Sequence, residues 1–368
     1  MKYYLIAGER SGEVHASNLM KSLVQKDANA EFRFLGGDLM AAEGGTMYRH
    51  YKEISFMGFW EVFTNLSTIS RNLKDCKEDL IKYKPDVVIL VDFSGFNLRI
   101  AKYAKEAGIK VFYYISPKVW VWNQKRAYKI KKLVDKMFVI LPFEKEFYKK
   151  YDYEVDYVGN PVLDSIHNHV PNPDFRKKHG LDERPIIAIL PGSRKQEVEA
   201  MLHYMVNVIP VFRDYQFVVA AVSNLSEEYY EMFNRDKDLT IVVDESYDIL
   251  KNATAALVTS GTATLETALM NVPQVVCYKT SQFTYTFAKM MMKVKYISLV
   301  NLILNKPAVK ELIQDEFIPR NIVDELKKVT QNTEVRATQL ADYKTLQDIM
   351  GKPGASNTTA DLIVKYLK

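Results

Sequence analysis

The 368-residue chain has little cysteine, few histidines and no long apolar run, and each shortage removes a class of protein. Its two cysteines, Cys76 and Cys277, cannot build a framework of bridges, so a disulfide-stapled secreted scaffold is excluded and the reducing cytosol is expected. Of the six histidines, His15, His50, His179 and His203 are scattered and His167 and His169 share a linker. None joins Cys or carboxylates at zinc spacing, and no metal is expected. Asp236-Lys237-Asp238 superficially matches a two-acid motif that elsewhere holds a divalent ion, but it lies in a polar run and reads as a surface turn. No GxSxG elbow and no Cys–His signature supports covalent hydrolysis. No window reaches the roughly 18 uninterrupted apolar residues of a spanning helix, so any membrane contact is peripheral. No signal peptide is expected before the first strand, which begins almost at Met1 as KYYLIAG. The net charge of +5 fits a solvated surface, or more sharply a preference for anionic lipid or phosphorylated substrate.

What remains is a chain too long for one ordinary core, with the apolar and charged fractions of a soluble globular enzyme. Apolar runs alternate with helix-period segments, the pattern of parallel sheets covered on both faces. A first series of strands is expected at Tyr3–Ala7, Phe32–Leu35, Val87–Val91, Val111–Ile115, Lys136–Ile140 and Glu154–Val158. The Pro-, Asn- and charge-rich HNHVPNPDFRKKHGLDERP then reads as an interdomain crossing. A second series follows at Ile186–Leu190, Gln216–Ala221, Thr240–Val243, Ala255–Thr259 and Gln274–Tyr278. The expectation is an α/β protein of two doubly wound domains, 1–165 and 166–345, whose strand C-terminal ends face a cleft. A tail, 346–368, breaks at Gly351, Pro353 and Gly354 before a capped amphipathic segment that fits a final helix docking back on the first domain.

Chemistry gathers at strand ends. In IIAILPGSR, Ile186 to Arg194, a buried strand empties into a tight turn with a polar helix start behind it. The backbone N–H groups of Gly192 and Ser193, the helix N-terminus and the Arg194 fork make an anion site suited to phosphate. AALVTSGTATLETALM repeats the design: a strand, a turn Ser260–Thr264, then a helix carrying Glu266. Two such turns suggest a nucleotide held by its phosphates at one strand end and by its ribose hydroxyls, through a carboxylate, at the next. GERSGEVHA, Gly8 to Ala16, lacks the dinucleotide spacing and a ribose acid, so NAD is not expected. Its small residues would let a substrate approach the backbone while Glu9 and Glu13 offer carboxylates; the plain alternative is capping by Ser11. Asp92 ends the apolar strand VVILV and projects a carboxylate as a candidate general base, against an Asx-turn or helix cap. In YYISPKVWVWNQKRAYKIKKL, Trp120 and Trp122 precede a run of lysines, yet no broader basic surface or nucleic-acid module accompanies them. Nucleic acid is not expected; a local site for one phosphorylated or lipidic substrate competes with buried tryptophans beside a solvated helix face.

Jointly the motifs carry a resemblance. SPKVWVW, LPFEKEFY (Leu141 to Tyr148), VGNP (Val158 to Pro161), LPGSR, SGTATLE and KVKYISLVNLI (Lys293 to Ile303) stand in the order found in the lipid-A-disaccharide synthases. The chain resembles these GT-B glycosyltransferases of lipopolysaccharide assembly through nearly its whole length. It departs from them at GERSGE for GEASGD, VDFSGFN for DAPDFN, VGNP for VGHP and SLVN for SLPN, touching Arg10, Glu13, Gly95 and Asn160 but sparing Asp92, Asn97 and Arg194. The resemblance implies two Rossmann-like domains and inverting transfer of 2,3-diacylglucosamine from UDP to the 6-hydroxyl of 2,3-diacylglucosamine 1-phosphate, lipid X. The products are a β-1,6-linked disaccharide 1-phosphate and UDP, made at the cytoplasmic face of the inner membrane, with a homodimer left open. UDP-2,3-diacylglucosamine is then a substrate, and no cofactor or metal is implied.

The implied roles are Asp92 as base and Arg194 as stabiliser of the leaving diphosphate. Gly192, Ser193, Gly261, Thr262, Ala263, Thr264 and Glu266 would hold the nucleotide. Glu9, Ser11, Gly12, Asn97, Trp120 and Asn301 would line the substrate site. Two apolar stretches could meet lipid: Phe56, Met57, Phe59, Trp60, Phe63, Leu66 and Ile69 beside Arg71, Lys74 and Lys77, and Phe283, Phe287, Met290, Met291 and Met292 among Lys289, Lys293 and Lys295. At least one is expected to stay exposed, helix core being the alternative. Two competing activities share this plan. A UDP-sugar 2-epimerase would need acids for proton abstraction at the sugar and no acyl surface. A noncatalytic nucleotide-sugar sensor would keep Arg194 and Glu266 without needing Asp92.

Overall fold

A computed structural model of the chain describes residues 1–54, 66–234, 238–331 and 334–368. It divides into two units, Met1–Pro161 with Lys352–Lys368, and Val162–Gly351. The first unit holds seven strands: β1 (Lys2–Ala7), β2 (Glu31–Gly36), β3 (Thr46–His50), β4 (Val87–Val91), β5 (Lys110–Tyr114), β6 (Lys136–Val139) and β7 (Asp156–Tyr157), in the order β3-β2-β1-β4-β5-β6-β7. The second holds β8 (Ile186–Leu190), β9 (Gln216–Ala221), β10 (Leu239–Val243), β11 (Ala253–Thr259), β12 (Gln274–Tyr278) and β13 (Lys310–Ile313), in the order β10-β9-β8-β11-β12-β13. Every pairing is parallel. Helices on both faces bury the central strands completely, which is why β4 (VVILV) and β8 (IIAIL) read as unbroken apolar runs.

Strand order places the chemistry. In an open parallel sheet the crevice forms where neighbouring strands send their connections opposite ways. Those switch points fall between β1 and β4 in the first sheet and between β8 and β11 in the second. The four loops leaving these strands are GERSG, DFSGFN, PGSR and SGTAT, the four that the sequence marks for chemistry.

All eleven expected strands are present, with ends moved by at most two residues. Two edge strands are additions. β3 has no fully buried residue and β13 has one, so neither carries an apolar run. The unit limits also differ from the expected 165/166 and 345/346. The helices Pro161–Asn168 and Glu334–Met350 run unbroken through those points. The segment read as a crossing is tied into the second unit, because Asn172 N–H donates to Asp248 at 2.7 Å and Phe175 is buried in that unit's core. The last helix, Ala355–Leu367, packs on Arg10–Lys26 and places Ala360, Ile363 and Val364 in the first unit's core. Lys26 pairs with Asp361 at 2.9 Å, and the Tyr366 hydroxyl donates to Asp156 at 3.0 Å.

Candidate active site

In the first unit, β4 ends in two successive left-handed residues, Asp92 (φ 45°) and Phe93 (φ 42°). That backbone costs about 1 kcal/mol or more per residue outside glycine, so the surroundings must hold it. The Asp92 N–H donates to the Tyr114 carbonyl at 3.1 Å. The Asp92 carbonyl accepts from the Asn97 side-chain amide at 2.9 Å and from the Tyr113 hydroxyl. The same Asn97 amide donates to the Val91 carbonyl at 3.2 Å, and Asn97 is 0% exposed. Asn97, expected to line the substrate site, holds the turn that presents Asp92.

The Asp92 carboxylate does not cap the following helix, Ser94–Glu106, whose N-cap is Phe93 with no side-chain cap bond. This removes the cap as its explanation. Burial raises its pKa, the Glu9 charge raises it further, and Lys118 and the Phe93 amide pull it down. A carboxylate, an opposing carboxylate and a lysine therefore share the β1/β4 strand end.

GERSG departs from expectation in three ways. The space over Gly8 is filled by the Phe93 ring, 2.0 Å from where a Cβ would sit, so this glycine admits Phe93 rather than a substrate. Ser11 does not cap: the N-cap of Arg10–Lys26 is Glu9, without a side-chain bond, and Ser11 is exposed in the first turn. Glu13 is buried and accepts the Leu39 N–H at 2.7 Å, capping the short helix Asp38–Ala42. Gly12 packs at ordinary distance from the Ala7 Cβ and the Val91 carbonyl.

Trp120, expected to line the substrate site, takes the buried position weighed as its alternative. It is 4% exposed, its indole N–H donates to Glu144 at 3.1 Å, and its ring meets Phe143 edge-on. Glu144 also accepts the Leu141 N–H at 3.0 Å, and burial pushes its carboxyl up to about 7. This anchor folds the SPKVW loop, on which Lys118 is exposed while Val119 and Trp120 are buried. The lysines of Arg126–Leu133 point to solvent.

In the second unit the helix Lys195–Val206 begins directly after PGSR. The Arg194 side chain is 66% exposed and lies 3.5 Å from Glu197. The Ser193 N–H, expected to hold phosphate, and the Arg194 N–H both donate to Glu197 at 3.3 Å. Gly192 (φ 107°) is required by geometry and by contact, since a Cβ there would sit 2.7 Å from that carboxylate. Glu197 thus closes the PGSR turn by capping the helix that follows it, a role its place within the polar helix start did not reveal.

At the neighbouring strand end, the helix Thr262–Leu269 starts from Gly261, and the first-turn N–H groups of Thr262 and Ala263 have no intrahelical acceptor. Thr264, expected to hold the nucleotide, is fully buried, and its hydroxyl donates to the Gly261 carbonyl at 2.8 Å, bracing the turn. Glu266 accepts from the Tyr247 hydroxyl at 3.0 Å; burial raises its pKa and this bond lowers it. Tyr247 lies on a separate helix, Ser246–Asn252, and no motif pointed to it.

Asn301 is 1% exposed and fully engaged. Its amide donates to the Val309 carbonyl and to Glu311, and its oxygen accepts the Val309 N–H, each at 2.9 Å. Glu311 also accepts from Ser298 N–H and Oγ, while the adjacent Ile297 carbonyl accepts from the Ser260 hydroxyl at 2.9 Å. Asn301, expected to line the substrate site, therefore braces the Ser260–Thr264 turn together with Glu311. Glu311 was missed because β13 was missed.

Among the described residues no three of His, Cys, Asp and Glu gather as a metal site. Asp236 and Lys237 lie outside those residues, and Asp238 is exposed before β10. Of the first apolar stretch, Phe56, Met57, Phe59, Trp60, Phe63 and the Leu66 side chain also lie outside them, and Ile69 is half-buried.

The comparisons agree with this geometry. A family model for lipid-A-disaccharide synthetase (LpxB) matches residues 3–363. A lipid-A-disaccharide synthase of Myxococcus xanthus is 36% identical, covering 99% of this chain and 97% of its own. Among solved structures, UDP-GlcNAc 2-epimerase from Neisseria meningitidis aligns with a TM-score of 0.68 at 13% identity, covering 99% of this chain and 100% of its own. MurG of Acinetobacter baumannii aligns at 0.61 and 13%, covering 99% of each. Such likenesses show the fold alone, and they do not favour the epimerase reading over the sequence match. Twin switch-point sites, the GT-B architecture and a match along nearly the whole sequence lead to one assignment: the chain belongs to the lipid-A-disaccharide synthase family, glycosyltransferases of lipid A biosynthesis.

Proposed function

We propose that Asp92 is the general base of transfer from UDP-2,3-diacylglucosamine to the 6-hydroxyl of 2,3-diacylglucosamine 1-phosphate. The acceptor hydroxyl gives its proton to the Asp92 carboxylate as its oxygen attacks the anomeric carbon. The bond from that carbon to the β-phosphate oxygen breaks, and UDP leaves from the opposite face with inversion through an oxocarbenium-like state. Arg194 and the helix ends behind PGSR and SGT take up the charge that develops on the diphosphate, without a metal ion. Glu266, oriented by Tyr247, holds the ribose diol. The enzyme works as a peripheral protein at the cytoplasmic face of the inner membrane; no helix among its described residues is long and apolar enough to cross a membrane.

The observation that carries this reading is the Asp92 turn: a strained backbone at a switch point, clamped by Asn97 and Tyr113, presents a desolvated carboxylate that caps nothing. The test is incubation with UDP-2,3-diacylglucosamine, with and without the 1-phosphate acceptor, for the parent and Asp92→Asn. Acceptor-dependent UDP release that disappears in the variant supports the assignment. Acceptor-independent isomerisation of the sugar would select an epimerase, and binding without turnover a sensor.

A further inference from the structure

Amphipathic helices ordinarily join a domain by burying the apolar stripe, and the helix Gln282–Met291 does the reverse. Phe283, Phe287, Met290 and Met291 recur at i, i+4, i+7 and i+8, so they share one face. They are 84%, 61%, 78% and 44% exposed, and no residue of the helix is buried. The helix is nonetheless anchored. The Ser281 hydroxyl caps it by accepting the Thr284 N–H at 3.2 Å. Just before it, the Gln314 side chain clamps Thr280, accepting its N–H at 2.7 Å and donating to its carbonyl at 3.0 Å.

Charge and position narrow the occupant. Between residues 279 and 297 the chain carries Lys279, Lys289, Lys293 and Lys295 and no acid. The helix leaves the C-terminal end of β12, next to the end of β11 that opens into SGTAT, with Thr259 in register with Cys277. An apolar, cationic surface therefore emerges at the sheet edge where the second unit's turns lie. Four apolar side chains on one ten-residue helix offer less than the about 800 Å² a side that a stable protein interface buries. Partial insertion of a helix face into a bilayer needs no such area, and anionic headgroups add attraction for each lysine.

We propose that Gln282–Met291 is a membrane-docking helix that seats its Phe/Met face in an anionic bilayer, with the surrounding lysines at the headgroups. This deepens the peripheral-membrane reading above by naming the surface that carries it.

The experiment is co-sedimentation of the full chain with phosphatidylcholine vesicles, plain or mixed with phosphatidylglycerol, for the parent and the double variant Phe283→Ser, Phe287→Ser. Circular dichroism confirms that the variant stays folded. Transfer on water-soluble short-acyl substrates is measured alongside. The parent is expected to bind the mixed vesicles more tightly than the plain ones, and less so in high salt. The variant is expected to lose at least about tenfold in vesicle partitioning while keeping its short-acyl activity. A parent that stays soluble with both vesicles, or a folded variant that binds as the parent does, would overturn the proposal. A loss of short-acyl activity would instead place the helix on the substrate, and a change of oligomeric state on the variant would place it on a second copy; either also overturns it. Because vesicle binding is read without turnover, failure here is distinguishable from failure of the transferase assignment.

Discussion

The two switch points solve opposite problems. At β1/β4 the proposed base is set by burial: Asp92 sits in a clamped left-handed turn, desolvated, with Asn97 and Tyr113 spent on holding its backbone. At β8 the proposed binding group is left in water: Arg194 is largely exposed, and its own N–H and that of Ser193 donate to Glu197. The physical reason is charge. A proton acceptor gains basicity from desolvation and suffers little from being small and fixed. The PGSR turn gathers backbone donors at a helix start, and the Glu197 carboxylate accepts from two of them. One group is desolvated and clamped, and the other is solvated.

Predictions that break or sharpen this contrast begin with Arg194→Ala. Losing a transition-state donor should lower turnover roughly 10²- to 10³-fold, while the exposed position leaves the melting temperature near that of the parent. A matching loss of stability would mean that the β8 turn is as preorganised as the β4 turn. Asn97→Ala should do the reverse. Leaving the buried Val91 and Asp92 carbonyls short of a donor should cost about 2 kcal/mol in chemical denaturation, with turnover falling as the turn loosens.

The pH dependence follows from the neighbours of Asp92. Its pKa is raised, and a base must be ionised to act, so the acid limb of kcat/KM should lie above the ordinary aspartate value of about 3.9. Lys118 lowers that pKa, so Lys118→Met should move the limb to higher pH. Glu9 raises it, so Glu9→Gln should move the limb to lower pH. Shifts of the same sign in both variants would remove the electrostatic account. The smallest effect is expected at Glu197→Gln. Removing a charge that competes with the diphosphate, worth about 1 kcal/mol in a water-like medium, should tighten UDP binding about fivefold by calorimetry. Weaker binding would show that Glu197 shapes the cradle rather than occupying it.

How far the sequence could be read differs in the same way. Buried central strands announce themselves as apolar runs, and the loops that leave them inherit a predictable place, so all four switch-point loops were legible. The edge strands β3 and β13 were not, because, unlike β10 at the second sheet's opposite edge, they bury at most one residue and carry no apolar run. Residue types at the site were legible, but the direction of each side chain was not. Asn97, Trp120, Thr264 and Asn301 looked like ligand contacts because polar or aromatic residues in a marked loop suit both tasks. The structure shows each spending polar atoms on other parts of its own unit. Their partners Tyr113, Glu144 and Glu311 lie on other elements, and only folding brings them near. Tyr247 beside Glu266 was hidden for the same reason.

The central claim is a division of labour, with proton removal in the first unit and nucleotide binding in the second. The most direct measurement is UDP titration of Asp92→Asn beside a turnover assay on the same preparation. The account predicts an unchanged dissociation constant together with turnover reduced about 10²- to 10⁴-fold, the range of a lost general base. A variant that keeps its turnover, or one whose UDP affinity falls in step with its turnover, would contradict it.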